Sequence, residues 1–186
     1  MWKGTLALLT CMQLTACATP FERMWQGLAT CELDDLYLDS ETGQPVRLPT
    51  EDEWNRIHDH VGLADVPHDA PAKANLHLDH WASSCPVTLF PHGELFDVVG
   101  NVWQWCETPT YPFDGFEVHP IYDDFTTPTF DDRHAIIKGG SWLCAANFCA
   151  RYRPAARQPQ ENDFSSNHIG FRIIRDAATP AAGTAR

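Results

Sequence analysis

Positive charge is scarce in this chain of 186 residues: 13 lysines and arginines stand against 25 aspartates and glutamates, a formal charge of −12. Nucleic acid needs clustered Lys and Arg to neutralise its phosphates, so this balance argues against such a partner. Also missing is any run of the ~20 apolar residues that a membrane-spanning helix requires. Internal repeats are absent, and low-complexity sequence is confined to the small, polar stretch of residues 177–186, which reads as a frayed tail. The cysteines number seven, at positions 11, 17, 31, 85, 106, 144 and 149. An odd count at irregular spacing excludes a disulfide-stapled mini-fold.

Aromatic residues and prolines are plentiful: seven Trp, ten Phe and fourteen Pro. Proline suits neither helix interiors nor central strands, so this composition predicts a loop-rich fold held by large aromatic anchors. The length corresponds to one domain with a sizeable core. Residues 21–176 form that domain, preceded at 1–20 by a leader or a non-native start. Residues 1–17 have the layout of a secretory signal peptide, and Leu14-Thr15-Ala16-Cys17 resembles a lipoprotein box whose cysteine would be acylated. The alternative is a buried first helix. Localisation stays open with it, in the cytoplasm or at the cell envelope.

Along the domain, Met24, Leu28, Cys31 and Leu36 recur at helical spacing over residues 21–38. Thr50 with Glu53 three residues on is a capping box, and Trp54, Ile57 and Val61 share one face of the helix it opens, with Gly62 as the stop. Residues 63–95 read as loop, and the six histidines between positions 58 and 92 read as solvated rather than as metal ligands. Val102 to Trp105 predicts a strand carrying two tryptophans on one face, and the Asp97 carboxylate, the carbonyls near Gly100 and Val102, and the Gln104 amide could form an oxygen cage for calcium. Residues 107–134 are a Pro-, Asp- and aromatic-rich excursion, predicted to be an ordered loop lining a cleft. Strands are expected at Ile136–Trp142 and Ile169–Ile174.

Chemistry concentrates in residues 139–172. Cys144 and Cys149, separated by four residues, are followed by Arg151, Arg153 and Arg157, then by His168 and the Gly170-Phe171-Arg172 triplet. A thiol near cations has a lowered pKa and is a better nucleophile and metal ligand. Spacing alone leaves a disulfide or half a zinc site open. The arginines could instead be structural, paired with the acidic excursion. Cys85 and Cys106 read as ordinary buried thiols.

Four motifs in order, RLPTEDEW (47–54), GNVWQW (100–105), KGGSW (138–142) and HIGFR (168–172), resemble the formylglycine-generating-enzyme or sulfatase-modifying-factor superfamily. The likeness spans residues 42–174. It implies an α+β, loop-rich, duplicated C-type-lectin-like fold, here shortened at its N-terminal end. Residues 42–142 are most similar to the C-terminal domain of the ovothiol and ergothioneine sulfoxide synthases, whose iron is held by histidines of a separate helical bundle; no such bundle is expected from these 186 residues. Residues 143–172 are closest to true formylglycine-generating enzymes.

The resemblance implies that Cys144 and Cys149 bind Cu(I), a soft metal that suits paired thiolates. A cysteine-containing peptide or protein, a sulfatase by resemblance, would be oxidised with O2 to formylglycine. Ser141 and Trp103 would lie beside the copper, with His168 and Arg157 on the substrate side. Asp97, Gly100, Val102 and Gln104, together with Asn75 and Leu76, would mark calcium positions, although Gln104 replaces the usual glutamate. A monomer is expected. Two alternatives stand beside this reading: the substrate-binding half of a sulfoxide synthase without its iron domain, or a non-catalytic envelope module anchored through Cys17.

Overall fold

The computed structural model describes residues 37–38, 45–62, 70–78, 81–145 and 150–175. The proposed leader, the tail and Cys149 lie outside them. The described elements are β1 (Tyr37–Leu38), β2 (Pro45–Val46), α1 (Glu51–His60), α2 (Ala70–Lys73), β3 (Pro91–His92), β4 (Leu95–Phe96), β5 (Trp103–Pro109), α3 (Asp123–Thr126), β6 (His134–Lys138), β7 (Gln158–Glu161) and β8 (Ile169–Phe171). Two small two-stranded ladders, β1-β2 and β3-β4, accompany one four-stranded sheet of order β7-β6-β5-β8. Little of the chain is regular, which fits an α+β, loop-rich architecture.

Helix α1 forms where the sequence places it. The Thr50 side chain accepts from the Glu53 amide and Glu53 returns to the Thr50 amide, so the predicted capping box is complete. Trp54, Ile57 and His58 turn inward, and the Trp54 and His58 rings stack at 5.7 Å. Strand β5 is the centre of the sheet. It runs antiparallel to β6 (Gln104 opposite Lys138) and parallel to β8 (Trp103 opposite Ile169, Trp105 opposite Phe171). Both tryptophans are buried in one core with Trp54, Leu76, Val98 and Ile136.

Several expectations need correction. Tyr37–Leu38 is a strand paired with Pro45–Val46, so the helical spacing over 21–38 does not extend to its end. Strand β6 begins at His134 and stops at Lys138 rather than running to Trp142, because two left-handed glycines follow. Strand β7 was not predicted. It contains Pro159, which the sheet tolerates because β7 is an edge strand. The excursion is ordered into short helical turns, as expected, and Phe113, Phe116, Ile121, Tyr122 and Phe125 in it are exposed. Two of the six histidines, His58 and His92, are core residues.

Candidate functional site

Strand β6 ends at Lys138 and passes directly into Gly139-Gly140, with φ of +88° and +70°. A Cβ at Gly139 would lie 3.0 Å from the Val98 carbonyl oxygen, and one at Gly140 would lie 2.9 Å from the Tyr152 Cβ. Only glycine fits this passage without strain. It delivers Ser141, fully buried, into a turn where the Cys144 N–H donates to the Ser141 carbonyl (2.9 Å) and the Leu143 N–H donates to the Ser141 hydroxyl (3.3 Å).

Backbone bonds hold that turn on two sides. The Trp142 N–H donates to the Asn101 carbonyl, while the His77 and Leu78 amides donate to the carbonyls of Cys144 and Trp142. Cys144 is buried, with 4% exposure. Trp103 opens β5 two residues after Asn101, and its N–H donates to the His168 carbonyl at 2.8 Å. The structure therefore joins the segments carrying Trp103, Ser141, Cys144 and His168 through direct backbone contacts. His168 is partly buried, its Nδ1 facing the Ser166 hydroxyl and the Asn167 amide. Burial lowers its pKa and favours the neutral ring.

The three arginines differ in their surroundings. Arg151 and Arg153 are exposed. Arg157 donates through Nε to both Glu51 carboxylate oxygens (3.0 and 2.9 Å) and through Nη1 to the Tyr111 carbonyl, and its guanidinium stacks over Phe113 at 4.2 Å. This is the structural alternative, an arginine holding an acidic group and the excursion in place. Cys85 and Cys106 are buried, and desolvation pushes their thiols up to about 11 and about 12, which keeps them protonated.

The predicted calcium residues divide. Gln104 is buried with its amide fully engaged: Oε1 accepts from Trp54 Nε1 and Arg172 Nε, both at 3.1 Å, and Nε2 donates to the carbonyls of Asp97 (2.9 Å) and Val98 (3.1 Å). Asp97, at 3% exposure, and Asn75 keep side-chain oxygens with no well-formed hydrogen bond. Burial raises the Asp97 carboxyl to about 7, and the Arg172 charge and the Asn101 amide pull it only partly back. With its amide committed elsewhere, Gln104 does not fit the role of a calcium ligand, and Asp97 is left as the one carboxylate of the set.

Sequence reasoning missed three supports of this region. Asn101 adopts φ +61° and its side chain accepts from the Cys85 amide and donates to the Cys85 carbonyl, a role signalled by the Gly-Asn pair. His92 accepts from the Val98 N–H at Nδ1 and contacts the Lys73 carbonyl at Nε2, which makes it a neutral strut behind Asp97. Glu51 carries no motif signal for its pairing with Lys138 and Arg157.

The fold defines the class first. The solved structure of Treponema denticola variable protein 1 superposes with a TM-score of 0.55 over 80% of this chain and 57% of that one, at 20% identity, a likeness of fold alone. Residues 11–177 match the sulfatase-modifying factor enzyme 1-like domain, and the chain belongs to that family. A "Formylglycine-generating enzyme" of Mycobacterium tuberculosis is 39% identical over 104 residues, covering 52% of this chain and 34% of that protein. An "Ergothioneine biosynthesis protein 1" of Neurospora crassa is 32% identical over 111 residues, 55% of this chain and 12% of its own length. The chain thus spans about a third or less of these two relatives.

Proposed function

We propose that this chain is an oxidase of the formylglycine-generating type, converting a peptidyl cysteine to formylglycine at the expense of O2. The observation that carries the reading is Cys144, a buried thiol in a turn bonded through Trp142 to Asn101, two residues before Trp103, whose own N–H reaches the His168 carbonyl. A soft sulfur donor of this kind fits Cu(I). Cys144 and Cys149 would hold the metal, which when bound supplies the one-electron chemistry that O2 needs. The chain's own contribution is positional. The Gly139-Gly140 passage and the flanking backbone bonds fix Cys144 without strain, buried surroundings limit water, and the neutral His168 ring offers a hydrogen-bonding group to a peptide.

The test is Cu(I) titration against a chromophoric chelator, paired with an aldehyde assay on a cysteine-containing sulfatase peptide. Stoichiometric copper binding and aldehyde formation are expected, with both lost in Cys144→Ser and Cys149→Ser. A protein that binds no copper, or a Cys149→Ser variant with unchanged aldehyde yield, overturns the reading.

The similarity to an ergothioneine biosynthesis protein favours a second reading, the substrate-binding part of a sulfoxide synthase. On that reading the chain alone forms no aldehyde and gains activity only with an iron-binding partner.

A further inference from the structure

Gln104 can be oriented without ambiguity. Trp54 Nε1–H and Arg172 Nε–H can only donate and therefore fix Oε1, while the carbonyls of Asp97 and Val98 can only accept and therefore fix Nε2. Two donors occupy the amide oxygen, and the amide nitrogen spends both hydrogens on the carbonyls of the turn after β4. For Oε1 to bind a metal, it would have to give up buried partners, and each orphaned donor costs free energy. Arg172 adds a fixed positive charge at the same place: its Nη2 donates to the carbonyls of Phe96 (2.8 Å) and Asp97 (3.3 Å), and the side chain is buried. A divalent ion approaching these carbonyls would meet a resident cation in a low-dielectric setting, where like charges repel strongly.

We infer that in this chain the Gln104–Arg172 pair takes over the structural part of a bound calcium ion, closing the Phe96–Val98 carbonyls with N–H donors. This turn is then held without a divalent metal. The Asp97 carboxylate and Asn75 Oδ1 are the side-chain oxygens of the predicted set that remain uncommitted, and a buried water suffices for such groups. The inference stands on this hydrogen-bond network and not on the copper reading.

An amide-to-carboxylate change reverses the logic. In Gln104→Glu, the two N–H donors facing Asp97 O and Val98 O become an oxygen, so that several oxygens converge with nothing between them, which is the arrangement that calcium prefers. Thermal unfolding and calorimetric titration with calcium decide the matter. For the wild-type chain, the midpoint is expected to be the same in excess EDTA and in millimolar calcium, with no stoichiometric binding heat. Gln104→Glu is expected to unfold at lower temperature in EDTA and to recover by roughly 5–10 °C in calcium at ~100 times its Kd. A calcium-dependent midpoint or binding heat in the wild-type chain overturns the inference, as does a folded Gln104→Glu variant indifferent to calcium. If that variant fails to fold, the wild-type arm decides alone.

Discussion

Lys138 has no exposed surface, yet its ammonium faces the Glu51 carboxylate at 3.4 Å, donates to the Pro154 carbonyl, and lies 5.3 Å from the centre of a Trp54 ring. Burial lowers its pKa and the Glu51 charge pushes it back up. Because Glu51 also holds Arg157, one carboxylate serves two cations. Glu51→Gln should therefore cost about 3–5 kcal/mol, the range for breaking a buried pair from one side. Urea unfolding measures it, and Lys138→Met added to the same variant should return part of the loss. A second residue-scale contrast concerns glycines. Gly140→Ala combines a φ of +70° with a contact at 2.9 Å to Tyr152, while Gly62→Ala has a similar φ but open space around it. The first should lose about 1–3 kcal/mol more than the second through overpacking, read as a larger drop in thermal midpoint.

At the scale of the element, the start of α1 is a clasp of three residues. Arg47 donates to both Glu53 carboxylate oxygens at 2.7 Å while Glu53 completes the capping box with Thr50. The Arg47 hydrogen bonds are the main cause that holds the Glu53 pKa at about 2, below its ordinary 4.5. A carboxyl depressed in the folded state stabilises it fully above the unfolded pKa and stops doing so as pH falls through the folded one. Stability should therefore decline between pH 4.5 and about 2, and Glu53→Gln should flatten that part of the curve in urea midpoints measured against pH. This helix was readable because its signals are local: a cap, an acidic first turn and apolar positions at helical spacing. Strand β7, Gln-Pro-Gln-Glu, was not. It sits at the sheet edge, where pairing with β6 substitutes for apolar patterning. The burial of His58 was half visible, four residues after Trp54 on the inward face, but its ring stacking depends on the packed core.

For the whole molecule, the sequence motifs gave the family and the backbone passages that carry Ser141 and Cys144. They did not give the partners of charged groups, since Arg157, Glu51 and Lys138 meet across 106 and 87 residues of chain. Gln104 shows the limit best: the substitution was visible as a letter, and its four hydrogen bonds only in three dimensions.

The parallel pairing of β5 with β8, together with the Arg47–Ile174 bridge, ties the front of the described domain to its back. The first strand of that pair starts at Trp103 and the second at Ile169, so the sheet lacks its closing edge until the later segment is made. During synthesis on the ribosome, the nascent chain must therefore carry Trp103 and Trp105 without their β8 neighbours while the intervening residues are translated. Such non-local closure is slow and exposes apolar surface in the meantime. The order of these strands thus leaves the tryptophan strand that supports the candidate site without one neighbour until residues 169–171 are made.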